Sequence, residues 1–590
     1  MDTMRFSYIC LLGALVLGGN CHSSQPEAPR PHILIAISDD QSWPHAGAYG
    51  STFVETPAFD RVAGEGVLFT QAFSASPGCA PARAALVTGR YPWQNGPAGT
   101  HASVWPERLT PLSGHLEAAG YLTGYTGKGV GPFQWAMGGS LQDPAGPEYN
   151  EHVLDPPAPY LSPIDYSANF KAFLRKRAPG QPFCFWYGAT EPHRPYASRA
   201  PYSRAQLDRV AVPAFLPDND SVRGDLLAYA QEIAWFDRHL GDMLRALDAA
   251  GELDNTIVIV TSDNGMPFPG AKATCYEYGI HVPLAVRWGA RVKPGQVIDA
   301  LVSFVDVVPT ILDLAGLPLP VSHPVAGRSL RGTLLGDTAH PAADRPVFAA
   351  RERHGDARWQ NLGYPQRALR TRDYLYIRNL RPERWPAGAP VQLLDQVRPA
   401  HGYLDMDWGW DWGGSNAYLV YHQRDSACAP FVAHALLPRP GEQLFAVGTD
   451  PACMQDLAAD TAYAAQLASL RQAMDQYLRE TGDPRVVGPD PDIFETYPRI
   501  GSRRSYPPPG WATDTAWLEA LLPRIGQDSS AFRRPTRSGA DFLEHGYWRL
   551  ERRSYDWALY DLRTGGRENL SARCPQTLAQ LRDWHKRYHP

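Results

Sequence analysis

Two apolar segments, each followed by oxygen-bearing side chains, constrain the fold of this chain more than any other feature. Residues 32–38 read HILIAIS and residues 256–261 read TIVIVT. Four acidic or amide residues follow these segments closely: Asp39 and Asp40 after the first, Asp263 and Asn264 after the second. Segments that are apolar on both faces are typical of central strands in a parallel sheet covered by helices. Because ligands bind beyond the carboxyl ends of such strands, we expect the four side chains to meet in one place.

The rest of the chain indicates an α/β fold with a second, smaller domain. Helical and strand patterns alternate through the first half, with helices near 111–119 and 222–250 and strands near 121–126 and 182–187. From about residue 367 the pattern changes to short strands, and residues 368–379 alternate as an antiparallel pair would. We predict a large mixed, mostly parallel sheet flanked by helices in residues 32–365. Residues 366–590 are predicted to form a smaller α+β domain with an antiparallel sheet and a C-terminal extension.

Composition limits the kinds of partner the protein can have. With 590 residues the chain is too long for a single core. Its 56 basic and 61 acidic residues give a net charge of −5. The sequence contains no basic run that would suggest nucleic-acid binding, so a polyanionic substrate would have to be held locally.

The N-terminus is predicted to direct export. An apolar run at 9–17 follows Arg5, and it is much shorter than the about 20 residues that a membrane span requires. We therefore interpret residues 1–24 as a signal peptide and residues 25–31 as a linker. Cys21 is a candidate for lipid attachment, although Asn20 before it fits that pattern poorly. The expected location is periplasmic or extracellular, with an outer-membrane lipoprotein as the alternative.

One further motif points to a specific chemistry. Residues 79–83 read CAPAR and are followed by AALVTGRYP. A Cys-x-Pro-x-Arg segment that leads into Leu-x-Thr-Gly-Arg resembles the signature of the type I sulfatases of the alkaline-phosphatase-like superfamily. The resemblance implies that a formylglycine-generating or equivalent maturation enzyme oxidises Cys79 to formylglycine. The hydrated aldehyde would then attack sulfur, and it could expel sulfate afterwards as the carbonyl re-forms.

The same resemblance implies one calcium ion. Asp39, Asp40, Asp263 and Asn264 match the family's metal ligands position by position, and the oxygen of converted Cys79 would complete the set. Carboxylate and amide oxygens are the ligands that Ca²⁺ prefers.

Four further residues receive catalytic roles from the resemblance. Arg83 would hold the diol, since its guanidinium is always charged and offers forked donors. Lys128 would bind the sulfate and the diol. His193, in a Glu-Pro-His-Arg segment, would face the leaving group, because histidine titrates near neutrality. Lys272 would touch a sulfonate oxygen.

The chain departs from the family at one catalytic position. Many members have a histidine two residues after the lysine, whereas this chain has Val130 there. The partner of the diol's second hydroxyl is therefore open. His101 is a spatial candidate for that place, and an exposed loop histidine is the alternative.

The proposed substrate comes from weaker motifs. The segments MPFP at 266–269, VPAFLPD at 212–218 and the Glu-Pro-His-Arg loop resemble the heparan N-sulfatase (N-sulfoglucosamine sulfohydrolase) branch. The expected substrate is N-sulfoglucosamine in heparin or heparan sulfate, and a carbohydrate O-sulfate such as a 6-O-sulfate is the alternative. Six residues are candidates for sugar contact: His101, Arg194, Glu352, Arg353, His354 and Trp410. A surface charge cluster at 351–354 and a packed loop around Trp410 are the competing interpretations.

Two other functions stay open on the sequence. A phosphatase or phosphonate hydrolase of the same superfamily is disfavoured, because the two-zinc members use Ser or Thr as the nucleophile and more histidine ligands. A silent protein that binds sulfated glycans would leave Cys79 unconverted. The sequence does not predict an oligomeric state.

Overall fold

The computed structural model describes most of the chain between residues 30 and 500. The exceptions within that range are 141, 198–201, 290, 337–344, 356 and 389–413. Four strand segments are described further on: Ser530–Arg533, Phe542–His545, Trp548–Arg553 and Asp556–Asp561. The predicted signal peptide, Cys21 and Trp410 lie outside the described residues. No helix in the described part of the chain is both long and apolar enough to span a bilayer.

The larger of the sheets has seven strands and is mostly parallel. Its spatial order is Gln296–Ile298, Val67–Phe69, Leu284–Arg287, Thr256–Ser262, His32–Ser38, Phe183–Gly188 and Leu122–Gly127. Leu284–Arg287 is antiparallel to both of its neighbours, and the other pairs are parallel. His32–Ser38 pairs with Thr256–Ser262 along its whole length. The two acid-terminated strands are therefore direct neighbours, as the apolar runs predict.

Helices cover both faces of this sheet, which explains why the central strands are apolar throughout. Ile33, Ile35 and Ile37 face one core, and Leu34 and Ala36 face the other. Among the described residues from 30 to 500, the helices of eight or more residues are Pro57–Gly64, Cys79–Thr88, Tyr166–Arg175, Asp220–Ala249, Val307–Leu314, Ala429–Leu436 and Ala464–Glu480. Shorter ones are Leu112–Ala118, Arg204–Asp208, Glu277–Ile280, Arg331–Leu335, Ser415–Tyr421, Pro484–Val487 and Ile493–Thr496.

The predicted antiparallel sheet is present and has four strands. They are Val347–Arg351, Gln366–Arg370, Tyr374–Asn379 and Glu442–Ala446, paired in chain order. The four strand segments beyond residue 529 form a second antiparallel sheet. Together with the large sheet, these features confirm the α/β fold with a smaller C-terminal α+β part. Because Val347–Arg351 pairs within the small sheet, we place the boundary between the two parts ahead of residue 347, not at 366.

Candidate active site

The carboxyl ends of the two central strands bring their four polar side chains together. Asp39, Asp40, Asp263 and Asn264 are all buried. The Asp40 backbone N–H donates to Asp263 Oδ1 at 3.0 Å, and Asn264 Nδ2 donates to Asp40 Oδ1 at 2.8 Å. Asp40 has a φ of 79°, in the left-handed region that costs a non-glycine residue about 1–3 kcal/mol. The two hydrogen bonds hold Asp40 in this left-handed conformation, so polar contacts determine the backbone conformation at the strand end.

Cys79 begins a helix whose residues are all buried. Gly78 precedes the helix Cys79–Thr88 in an extended conformation, and Gly89 ends it with a φ of 66°. Small side chains at 80, 82, 84 and 85 let the helix pack closely on every side. The helix N-terminus carries unpaired N–H groups and a partial positive charge, which favours an anion beside Cys79.

Arg83 ties this helix to the strand ends. Its Nε donates to Asp263 Oδ2 at 2.7 Å, and its Nη1 donates to the carbonyls of Lys128 and Gly129 at 3.1 and 3.2 Å. Its Nη2 lies 3.6 Å from Asp39 Oδ1 and has no hydrogen-bond partner among the described residues. The guanidinium therefore connects the helix Cys79–Thr88 with the strand end at Asp263 and with the loop at Lys128. Its Nη2 group is directed at the Asp39 carboxylate.

Two lysines neutralise the adjacent aspartates. Lys128 Nζ lies 2.6 Å from Asp39 Oδ2, and Lys272 Nζ lies 2.6 Å from Asp40 Oδ2. Burial alone would raise the pKa of Asp39, but the Lys128 ammonium contributes most to lowering it to about 2. The Lys272 side chain is fully buried, whereas that of Lys128 is 19% exposed. The site is therefore open to solvent on the Lys128 side.

The donor set fits a hard divalent cation. One ligand atom from each of Asp39, Cys79 and Asp263 lies within 4.8 Å of the others. Asp39 Oδ1 and Asn264 Oδ1 are buried and accept no hydrogen bond from any described residue. Buried oxygens without a partner are costly, and an ion of the calcium type would satisfy both.

The Cys79 thiol has the properties of a protonated, inert group. Its side chain is 2% exposed, and burial is the main cause that raises its pKa above the ordinary value. A nucleophilic cysteine needs a lowered pKa. Attack by an unmodified thiolate at this position is therefore disfavoured.

His193 lies beside the cluster. Its Nε2 is 4.0 Å from Asp40 Oδ2, and its side chain is 25% exposed. Its Nδ1 lies 2.7 Å from the Arg194 carbonyl, which fixes Nδ1 as the donor and directs Nε2 at the site. Burial, followed by the Lys272 charge, lowers the pKa of this imidazole.

His354 also lies close to the start of the Cys79 helix, and His101 lies beside His354. Their rings lie 4.8 Å apart, and the backbone N–H of His101 donates to the Arg353 carbonyl at 3.1 Å. A Cβ added to Gly78 would come within 2.8 Å of His354 Cδ2. The His354 ring is therefore packed against the backbone that leads into the Cys79 helix.

Three other candidates for sugar contact have structural partners. Arg194 forms a buried bidentate salt bridge with Asp225, with hydrogen bonds of 2.9 and 2.6 Å. Its Nε donates to the Pro267 carbonyl. Glu352 is buried between two arginines, with Arg367 at 2.8 Å and Arg485 at 2.6 Å. These contacts favour stabilising roles for Arg194 and Glu352 over contact with a substrate.

Arg353 joins distant segments of the chain. It donates to the carbonyls of Tyr497 and Pro498, both at 3.0 Å, and to Thr100 Oγ1 at 3.3 Å. This arrangement holds residues 497–500 beside the loop that carries His101. A surface charge cluster, the competing interpretation, does not fit side chains that are 3–7% exposed at 351–354.

Sequence patterns did not indicate two residues that lie near the site, Asp143 and Arg499. Asp143 accepts from the Val130 N–H at 2.9 Å and from the Ala145 N–H at 2.8 Å, so it holds the loop after Lys128. Arg499 is 9% exposed and lies within the segment that Arg353 binds. Both residues lie in loops, where only the fold reveals their neighbours.

Comparisons with known proteins find relatives among the sulfatases. A family profile described as Sulfatase matches residues 31–317. N-sulphoglucosamine sulphohydrolase of Homo sapiens is 28% identical over 505 residues, which cover 78% of this chain and 92% of the relative. N-acetylgalactosamine-6-sulfatase of Rattus norvegicus is 31% identical over 382 residues, which cover 54% of this chain and 68% of the relative.

Solved structures share the fold. One contains its substrate D-glucosamine-2-N,6-O-disulfate and matches with a TM-score of 0.54 and 19% identity, covering 78% of this chain and 99% of that chain. Another, a 2-O GAG sulfatase, matches with a TM-score of 0.54 and 20% identity, covering 82% and 100%. With the profile spanning the large sheet and a sulfatase 31% identical across two thirds of its own length, this chain belongs to the sulfatase family.

Proposed function

We propose that the protein hydrolyses sulfate from N-sulfoglucosamine in heparin or heparan sulfate. One observation supports sulfatase activity in general. Five side chains lie around the polar residues at the ends of the two central strands: Cys79, Arg83, Lys128, His193 and Lys272. The finer assignment to a sulfamate is supported by the human N-sulphoglucosamine sulphohydrolase. The match covers 92% of the length of that relative.

In this proposal one calcium ion is held by Asp39, Asp40, Asp263 and Asn264, together with the oxygen of converted Cys79. The ion would supply positive charge beside the sulfonate oxygens. The two partnerless oxygens of Asp39 and Asn264 support this assignment. The hydrated aldehyde derived from Cys79 would supply an oxygen nucleophile, and the raised pKa of the unconverted thiol supports the need for conversion.

The chain's own residues bind and orient the sulfate. The unpaired Nη2 of Arg83 is placed to hold an oxygen at position 79, since its other donors are fixed by Asp263 and by two carbonyls. Lys128 and Lys272 would contact sulfonate oxygens, because each ammonium lies at the edge of the acid cluster. His193 would exchange a proton with the leaving nitrogen or oxygen through Nε2.

Carbohydrate O-sulfate hydrolysis is the second candidate. The ulvan-active sulfatase of Formosa agariphila, 26% identical over 486 residues and covering 76% of that relative, and the rat 6-sulfatase favour it. The export predicted for residues 1–24, to the periplasm or the exterior, belongs to this proposal as well, since glycosaminoglycans occur outside the cytoplasm.

A panel of sulfated glucosamines tests the substrate. The wild type and Cys79→Ala would be assayed on N-sulfated, 6-O-sulfated and 2-O-sulfated glucosamine. We expect release of sulfate from the N-sulfated sugar by the wild type only. Activity on O-sulfates alone would overturn the N-sulfatase assignment and leave a sulfatase. Turnover by Cys79→Ala at the wild-type rate would overturn the formylglycine proposal.

A further inference from the structure

A second group of basic side chains lies next to the proposed reaction centre. It consists of His101, His354 and Arg499, which we call the histidine–arginine cluster. The His101 and His354 rings are 4.8 Å apart. His354 packs against Gly78, the residue before Cys79. His354 is therefore in contact with the residue that precedes the nucleophile position.

Backbone contacts hold Arg499 beside the loop that carries His101. The carbonyls of Tyr497 and Pro498 accept from Arg353, and the Ile500 N–H donates to the Ala102 carbonyl at 2.7 Å. Arg499 lies between these anchored residues, so its position is fixed on both sides. It is 9% exposed, which is low for an arginine.

The surroundings of His101 favour its neutral form. Burial is the largest cause that lowers the pKa of His101, followed by the charges of His354, Arg499, Lys272 and Lys128. The His101 ring is therefore neutral near pH 7. Its Nδ1 is buried and has no hydrogen-bond partner among the described residues. Such an atom needs a partner, and with the ring proton on Nδ1 it can donate a hydrogen bond to an anion.

We propose that the histidine–arginine cluster binds a second anionic group of the substrate, a sulfate or carboxylate, while the sulfate to be cleaved lies at Cys79. The inference rests on the proposed function and narrows it to substrates that carry at least two negative groups. The Arg499 guanidinium would hold the anion through its forked donors, which suit sulfate and carboxylate oxygens. The neutral His101 ring would add a hydrogen bond.

Kinetics on paired substrates test this inference. Glucosamine N-sulfate carries one anionic group, and glucosamine N,6-O-disulfate carries two. We expect the wild type to prefer the disulfate by about tenfold or more in kcat/KM, the value of one charge-assisted hydrogen bond. Arg499→Met should remove that preference and leave kcat/KM on the monosulfate within about twofold. Arg245→Met, which removes an exposed arginine on Asp220–Ala249, is the matched control.

A disaccharide of glucosamine N-sulfate with a neighbouring uronate distinguishes the two sources of the anion. Preference for this disaccharide, lost in Arg499→Met, would assign the cluster to a carboxylate. Preference for the disulfate would assign it to a second sulfate. Equal loss on singly and doubly charged substrates, or no preference in the wild type for either, would overturn the inference.

Binding to Cys79→Ala separates this inference from the proposed function. Calorimetric titration with the monosulfate and the disulfate needs no turnover, so it reports on the cluster even if the cleaved bond is assigned wrongly. We expect tighter binding of the disulfate and loss of that difference when Arg499→Met is added. If Arg499→Met is unfolded at the assay temperature, Arg499→Lys replaces it in the same titration. The preference of the wild type for the disulfate also still tests the inference.

Discussion

Arg83 Nε and Asp263 Oδ2 lie 2.7 Å apart, and both side chains are wholly buried. A cation proposed to bind the nucleophile is thus held by a carboxylate proposed to bind the metal. The two roles are coupled through one contact, and changes at either residue should affect both.

Arg83→Lys tests this coupling. A lysine has one nitrogen and cannot bind Asp263 and the carbonyls of Lys128 and Gly129 in the fixed fork geometry of arginine. Because breaking a buried pair costs about 3–5 kcal/mol, we expect a lower melting temperature and at least about a hundredfold loss of kcat. Arg245→Lys, at an exposed position, is the control. Unchanged kcat in Arg83→Lys would contradict the proposed role.

Gly78→Ala tests the contact between the nucleophile helix and His354. Gly78 has extended backbone angles that alanine can adopt, so the added Cβ matters only through its 2.8 Å approach to His354 Cδ2. We expect the ring to be displaced, with kcat/KM reduced by about tenfold and a loss of about 1–3 kcal/mol of stability. Gly64→Ala is the matched control, since no atom lies within 4 Å of its added Cβ. Equal activity in the two variants would show that the position of His354 is unimportant.

Calcium should stabilise the fold through the strand-end acid pairs. An ion that binds only the folded state at 100 times its Kd adds about 2.7 kcal/mol, so the melting temperature should rise with calcium concentration. Asn264→Ala removes a buried oxygen without a partner and should abolish most of that rise. Asp248→Asn, at an exposed carboxylate, should keep it. A calcium-independent melting temperature in the wild type would argue against the ion.

Glu495 should make stability depend on pH. Burial alone would raise its pKa, but Arg384 and Arg485 lower it from 4.5 to about 2. A lowered carboxyl pKa adds stability above the unfolded value, and that stability is lost as the pH falls from about 4.5 towards about 2. We therefore expect Glu495→Gln to lower the free energy of unfolding by about 3 kcal/mol at pH 7 and by much less at pH 3.

Melting curves of Glu495→Gln and the wild type at both pH values provide the measurement. Glu480→Gln, at an exposed position on Ala464–Glu480, is the control for a lost carboxylate. A difference between Glu495→Gln and the wild type that stays constant from pH 7 to pH 3 would rule out the ion pairs as its cause.

The parallel core and the meeting of the acid pairs were predictable, because each follows from a local pattern. Residues 32–38 and 256–261 are apolar on both faces, and parallel neighbours must end at the same edge. The pairing of Arg194 with Asp225 or of Glu352 with Arg485 depends on residues far apart in the chain. A single sequence gives no measure of such distances. The boundary predicted at residue 366 rested on the change to short strands near residue 367, and no local pattern connects Val347–Arg351 with the strand Gln366–Arg370 that it pairs with.

The burial of Cys79 has a consequence for the order of events in the cell. Its sulfur lies at the start of a helix in which every side chain is enclosed. A maturation enzyme could not reach this thiol in the finished fold without pulling out the helix. If Cys79 is converted to formylglycine as proposed, the oxidation would therefore take place before folding, and a chain that folds first would keep its thiol.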